Sequence, residues 1–197
     1  DSKELTPKLR QSLSEKIRAA CPFGVGVVPS QIIDSLGILA ATRLAMAQAQ
    51  VSRALCISTT LEEFASVHQL ALDYDNFWAT AGVHPDSEGV KEPSLEDLLS
   101  LGALPRVVGI GETGLDYYRL NGRSVADMAW QRERFCRHIR AARQLAKPLV
   151  IHTRSAAQDT LAVLKAEGED GSAGSAGGVF HCFTEDAATA RQALDSG

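Results

Sequence analysis

The sequence predicts an α/β fold, an incomplete (β/α) barrel with a short N-terminal α/β segment. Five short and almost continuously apolar runs begin near residues 53, 77, 106, 148 and 178, and each is followed by a helical pattern. Apolar strands that alternate with helices are typical of a parallel sheet covered by helices. A complete barrel contains about eight such units in roughly 250 residues. Five units therefore predict a barrel that lacks units at both ends.

The N-terminal segment has its own pattern. Thr6 and Pro7 are suited to the N-cap and first turn of a helix, and apolar residues then recur at helical spacing as far as Ala20. We expect a short strand at 23–28 and a helix from about 38 to 50.

The repeating units follow in a regular order. The predicted strands are 53–58, 77–83, 106–111, 148–151 and 178–180. The predicted helices are 61–72, 94–101, a long one from a turn at 121–123 to about 146, 155–167, and a last one that runs towards Gly197. A Gly/Ser/Ala-rich stretch at 168–178 predicts a flexible loop.

Composition limits the classes of function. Hydrophobic residues make up 45% of the chain, which is enough for a packed core, and the net charge of −4 gives no basic surface for bulk binding of nucleic acid. A local nucleic-acid site is still compatible with this charge, because bound cations can supply positive charge. We find no signal peptide and no apolar run long enough to span a membrane, and nothing implies a protein partner. The four widely spaced cysteines predict free thiols in a cytoplasmic protein.

Four predicted strands end at a residue that can bind a metal or move a proton. These residues are His84, Glu112, His152 and His181. A single histidine is more often a packing residue, but the ends of parallel strands meet on one side of a sheet, so four such residues favour a shared site. Imidazoles with a carboxylate suit Zn²⁺, Mn²⁺ or similar ions, and Glu112 could bridge two ions about 3.5–4 Å apart.

Four segments resemble the successive signatures of the TatD family of metal-dependent deoxyribonucleases. They are GVHP at 82–85, GIGETGLDYYR at 109–119, KPLVIHTRSA at 147–156 and GVFHCF at 178–183, and they cover residues from about 47 to 197. The resemblance implies a TIM-like barrel and metal-dependent hydrolysis of phosphodiester bonds in DNA, typically by an exonuclease acting on single-stranded ends.

The resemblance also implies roles for individual residues. Glu112 would be a catalytic, metal-bridging carboxylate, and His152 and His181 would be metal ligands for Mg²⁺, Mn²⁺ or Zn²⁺. His84 and Arg154 would be catalytic residues that line the pocket. Arg154 could hold a substrate phosphate through its planar guanidinium, although a surface ion pair is the alternative.

Two features depart from the family pattern. Family members begin with a strand that ends in a His-x-His pair, and Leu36 and Ile38 stand where these histidines would fall. Family members also carry a metal-binding aspartate on a later strand, and Gly197 precedes that position. We therefore expect one complete metal site or fewer, instead of two. Residues 116–118 would form the loop after the bridging glutamate.

The first fifty residues resemble a different family. The segments 1–20 and 25–49 are similar to an internal stretch of type-II ribonuclease H, which begins with a DSK segment, and none of that family's catalytic carboxylates is present. We expect a ribonuclease-H-II-like fragment at 1–46, followed by a TatD-like hydrolase at 47–197, with a junction inside 45–49.

Three alternatives to a DNA hydrolase remain open. The missing ligands and strands favour a non-catalytic chimaeric or truncated chain. The N-terminal resemblance favours a ribonuclease-H-type fragment that acts on RNA–DNA hybrids. Barrels with histidine and carboxylate ligands also hydrolyse amides and esters, so the same site could serve another substrate.

Overall fold

A computed structural model describes residues 5–195, and the DSK segment therefore lies outside the described residues. The helices are α1 (Pro7–Ala20), α2 (Ser30–Gln48), α3 (Leu61–Asp73), α4 (Leu95–Gly102), α5 (Ala129–Leu145), α6 (Ala157–Ala166) and α7 (Ala187–Asp195), with a short 3₁₀ helix at Ala126–Met128. The strands are β1 (Ala54–Cys56), β2 (Phe77–Ala81), β3 (Val107–Asp116), β4 (Leu149–Arg154) and β5 (Gly178–Phe180). The chain divides into two compact units, Asp1–Ala54 and Leu55–Gly197.

The described part of the first unit is helical, and the predicted strand at 23–28 is wrong. This segment is extended but belongs to no sheet, because no neighbouring strand accepts its backbone hydrogen bonds. It packs on α2 instead: the Val27 N–H donates to the Gln48 side chain at 2.8 Å. A Cβ on Gly26 would lie 1.9 Å from the carbonyl oxygen of Ala45, so only glycine permits this close approach.

Helix α1 begins where the sequence predicts, because the Thr6 hydroxyl accepts a hydrogen bond from the Leu9 N–H at 3.3 Å. Helix α2 begins at Ser30, eight residues before the predicted start at 38. Its regular backbone is interrupted by a kink at Gly37, where φ is +80°. The helix predicted from the apolar pattern corresponds to the part of α2 that follows this kink.

The second unit is the predicted incomplete barrel. Its five strands lie in the order β1-β2-β3-β4-β5, and the register from β2 to β5 is parallel throughout. Sequential order with parallel pairing is the arrangement of a (β/α) barrel, and the sheet curls into a half-barrel with helices outside. A single core fills the space between sheet and helices. Its largest buried apolar side chains are Phe135, Leu98, Ile110, Leu115, Met128, Ile139 and Leu149.

Two further observations concern the described residues as a whole. Of the helices between residues 5 and 195, none is both long and apolar enough to cross a lipid bilayer. The four cysteines are free thiols in this structure, as their spacing predicts.

Candidate metal centre

The four predicted site residues come from successive strands. Glu112 is the sixth residue of β3 and His152 is the fourth of β4, while His84 lies three residues beyond β2 and His181 directly follows β5. The prediction that all four end their strands is therefore wrong for Glu112 and His152. Both strands continue past them, because the parallel pairing of β3 with β4 extends from Ile110 to Asp116.

A bulge in β3 directs the Glu112 side chain. Gly111 pairs with Val150 and Thr113 with Ile151, so Glu112 is an extra residue in the ladder. Its N–H donates to the Ser58 carbonyl oxygen at 3.0 Å instead of to a β4 partner. Gly111 makes the bulge possible, because its φ is +146° and a Cβ there would lie 2.5 Å from the Val150 oxygen.

Three imidazole nitrogens converge on one carboxylate oxygen. Glu112 Oε1 lies 3.0 Å from His181 Nδ1, 3.2 Å from His152 Nδ1 and 3.8 Å from His84 Nε2. Among the described residues, the potential ligand atoms of His84, Glu112 and His152 all lie within 4.8 Å of one another. His84 is therefore a member of the cluster, where the sequence predicts only a residue that lines the pocket. His181 contacts the cluster through its hydrogen bond with Glu112.

A second carboxylate holds the far side of the His152 ring. Asp116 Oδ2 accepts from His152 Nε2 at 2.9 Å, and Asp116 Oδ1 accepts from the Tyr118 N–H at 2.9 Å. A carboxylate facing Nε2 favours the proton on that nitrogen, which leaves the lone pair on Nδ1. A ligand histidine commonly has this arrangement, with one nitrogen on the metal and the other on a carboxylate.

The ring of His84 is oriented by its own loop. Its Nδ1 accepts from the Asp86 N–H at 3.1 Å, so a neutral ring carries its proton on Nε2, which lies 3.2 Å from His152 Nδ1 and can donate to it when His152 is neutral. Burial and the nearby positive charge of His152 both lower the pKa of His84. Ring orientation and proton position are therefore both set by neighbours in the fold.

The centre of the cluster contains more acceptors than donors. With its proton on Nε2, His152 presents a lone pair to Glu112 Oε1 at 3.2 Å, and two acceptors would face each other. An added proton resolves this conflict. Burial alone would lower the pKa of His152, but hydrogen bonds to Asp116 and Glu112 outweigh it and raise that pKa to about 9. A cation would resolve the conflict equally well, so the donor set fits a divalent metal.

The same balance applies to Glu112. Burial raises its pKa, but the hydrogen bonds from His152 and His181 dominate and lower it to about 2. The carboxylate is therefore ionised at neutral pH, which is the state that binds a metal ion.

Arg154 lies at the rim of the site. It is exposed at the end of β4, two residues after His152, and its guanidinium stacks on the Tyr118 ring at 3.7 Å from the centroid. The two planar groups form an exposed cationic and aromatic surface beside Asp116. Both roles considered for Arg154, phosphate binding and a surface ion pair, stay predictions.

Asp116 is the site residue whose role the sequence did not predict. It was expected in a loop after Glu112, but it is the last residue of β3 and contacts His152. The available signal was a second carboxylate, Asp116, four residues after Glu112 in the GIGETGLDYYR segment. The predicted strand ends at residue 111, which places Asp116 outside it.

Comparison with known proteins identifies what this chain resembles. The family model of TatD-related DNases matches residues 38–197. An uncharacterised metal-dependent hydrolase of Escherichia coli, YcfH, is 42% identical over 144 residues, which is 73% of this chain and 51% of that protein. A Citrobacter rodentium protein named as a 3'-5' ssDNA/RNA exonuclease, TatD, is 33% identical over 176 residues, which is 89% of this chain and 63% of that protein.

Solved structures show the same likeness. The crystal structure of YjjV, a TatD homologue from E. coli, aligns with a TM-score of 0.65 and 26% identity, and the match covers 76% of this chain and 56% of that one. The chain therefore spans about half the length of the relatives that it matches.

Proposed function

Because the chain belongs to the family of TatD-related DNases, we propose that it is a metal-dependent hydrolase that cleaves phosphodiester bonds of DNA at single-stranded ends. The observation that supports this most directly is the convergence of three imidazole nitrogens on Glu112 Oε1. Such a donor set suits Zn²⁺, Mn²⁺ or Mg²⁺ with water completing the coordination.

Glu112 and His152 would hold the metal ion, with His181 as a further nitrogen donor. The Nε2 of His84 faces the same point but carries the proton of that ring, so His84 would act as a hydrogen-bond donor beside the ion. A divalent ion at this point supplies Lewis-acid activation of water and offsets charge on the phosphoryl oxygens. Asp116 would keep the His152 proton on Nε2, so that Nδ1 stays available as a ligand.

Arg154 and Tyr118 would bind the substrate. The Arg154 guanidinium can donate two parallel hydrogen bonds to phosphate oxygens. The exposed Tyr118 ring offers a face on which an unpaired base can stack. Arg154 lies two residues after His152, and Tyr118 lies two residues after Asp116, so both would hold the end of a strand beside the metal ligands. The name of the Citrobacter relative, an exonuclease of single-stranded DNA and RNA, supports this choice of substrate.

The test is release of nucleotides from a single-stranded DNA oligomer in Mg²⁺, Mn²⁺ or EDTA, with wild type beside Glu112→Gln. We expect metal-dependent release by wild type and a loss of at least about a hundredfold in the variant, because the shared ligand is weakened. Glu133→Gln is the matched control, since Glu133 lies on the exposed face of α5. It should retain wild-type release.

The result also separates the alternatives. Equal release by wild type and Glu112→Gln would contradict the proposed site. No release from DNA, together with metal-dependent turnover of an amide or ester panel, would place the same site in another class of hydrolase. Failure to turn over any substrate would favour the non-catalytic chain, for which the residues Leu36 and Ile38 at the expected His-x-His position are the specific observation.

The N-terminal segment is a separate proposal. Its similarity to type-II ribonuclease H, the division into 1–46 and 47–197 and a junction inside 45–49 stay predictions from the sequence. Sequencing the source locus across codons 40–55 tests them, and an uninterrupted native reading frame would exclude an artificial fusion. A cytoplasmic location also stays a prediction.

A further inference from the structure

Helix α5 carries three buried polar side chains on the face that packs against the sheet. Gln131, Arg134 and His138 recur at helical spacing and are each at most 3% exposed. Polar groups in a core are costly unless each is hydrogen-bonded. All three donate to or accept from the backbone of the two segments that bear site residues.

His138 binds the backbone immediately before His84. Its Nε2 accepts from the Val83 N–H at 3.0 Å, and its Nδ1 donates to the Arg134 carbonyl oxygen at 2.8 Å, so the neutral ring is fully satisfied. The side chain is completely buried. An apolar residue would fill this space at lower cost, so the hydrogen bond to Val83 is the distinctive contribution of the imidazole.

Arg134 binds the same segment from the acceptor side. Its Nη1 donates to the carbonyl oxygens of His84 at 2.7 Å and Ser87 at 2.9 Å, while the rest of the guanidinium pairs with Glu92. A rigid fork of donors of this kind defines direction as well as distance. The loop after β2 is thus held at both Val83 and His84.

Gln131 binds the end of β3 in the same way. Its amide oxygen accepts from the Asp116 N–H at 2.9 Å, and its amide nitrogen donates to the Asp116 carbonyl oxygen at 3.0 Å. One helix therefore holds the backbone of His84 and of Asp116, and the ring of His152 lies between these two side chains.

We propose that Gln131, Arg134 and His138 are positioning residues that set the geometry of the metal centre from α5. This inference rests on the metal site proposed above. None of the three contacts the cluster with its side chain. Each acts through the backbone next to or at His84 or Asp116, whose side chains flank the His152 ring. The loop after β2 and the end of β3 are separate segments of the chain, and hydrogen bonds from α5 fix their positions relative to each other.

The test compares His138→Leu with His138→Gln and with Ile139→Val, a buried apolar control at the neighbouring position of α5. The first readout is the ¹⁵N spectrum of the histidine rings in EDTA. The second is the dissociation constant for Mn²⁺, measured from the electron paramagnetic resonance of the free ion. We expect displaced ring signals for His84 and about tenfold weaker Mn²⁺ binding in His138→Leu, as for partners one step removed from a metal.

The controls make the result specific. His138→Gln keeps an acceptor for Val83 and should restore both readouts towards wild type, while Ile139→Val should change neither. Ring signals of His138→Leu that coincide with those of Ile139→Val would overturn the inference. The ring spectra are recorded without metal and therefore test the positioning role separately. A wild type that binds no Mn²⁺ would contradict the proposed function, and the ring spectra would still decide the positioning role.

A second variant guards against misfolding of the first. Gln131→Leu removes the bonds to the Asp116 backbone, so it should displace the ring signals of His152 more than those of His84. Identical displacement of both rings in the two variants would indicate general loosening of the core and would also overturn the inference.

Discussion

The two units of the chain differ in how much side-chain surface they bury. Between residues 5 and 54, Ala41 is the single buried side chain, although both helices are regular and α1 is well capped. Residues 55–195 bury one continuous core between strands β2 to β5 and helices α3 to α6. Local helix signals and stability are therefore separate properties, because most of the stability of a helix in a protein comes from packing.

The largest expected effect on the free energy of unfolding comes from making the same Ile→Ala substitution in each of the two units. Ile110→Ala removes a fully buried side chain from β3 and should lower the free energy of unfolding by about 2–5 kcal/mol. Ile38→Ala alters a side chain that is 65% exposed and should change it by at most about 0.5 kcal/mol. Chemical denaturation of both variants measures the difference, and equal effects would contradict the comparison.

The next effect is the pH dependence that arises from the buried His138. Complete burial lowers its pKa to about 4 in the folded protein, against an ordinary value of 6.5. Below pH 6.5 the unfolded chain takes up a proton that the folded chain does not, so stability falls as the pH decreases from about 6.5 to about 4. The loss attributable to this residue is roughly 3 kcal/mol.

Denaturation in EDTA between pH 4 and pH 8 measures this loss. The charged groups that face the ring are Arg134, Arg137 and Glu92. His138→Gln should therefore show a flatter profile than wild type, and an unchanged slope would refute the assignment.

The smallest expected effect compares two helix caps. Ser94 forms a capping box with Asp97 at the start of α4, and Ser94→Ala should lower the free energy of unfolding of the half-barrel by about 1 kcal/mol. Thr6→Ala removes the cap of α1 and should leave that transition unchanged while reducing helical circular dichroism. A common loss in both variants would mean that the two units unfold together.

The fold of the second unit was largely predictable because each of its signals is local. Apolar strands followed by helical patterns placed β2, β4 and β5 within a few residues of their observed bounds. The prediction was wrong where a partner decides the outcome. Segment 23–28 has the composition of a strand but lacks a neighbouring strand, and β3 continues to Asp116 because β4 supplies a partner from Ile110 to Asp116.

The candidate site divides in the same way. His84, Glu112, His152 and His181 were recognisable as a group, because residues at equivalent positions of successive strands lie on one side of a parallel sheet. Asp116 is predicted in a loop instead of at the end of β3. The backbone groups that the buried polar residues of α5 bind could not be predicted, because hydrogen bonds to a distant backbone leave no pattern in the sequence.

The family, the order of strands and the residue types that can bind a metal follow from the amino-acid sequence alone. Periodicity and short motifs are local properties, so they can be read without knowing how the chain folds. Three other features follow only from folding: Glu112 projects from a bulge, Asp116 fixes the His152 ring, and α5 holds two site segments together. These features depend on contacts between residues far apart in the chain, which form only when the sheet and its helices pack.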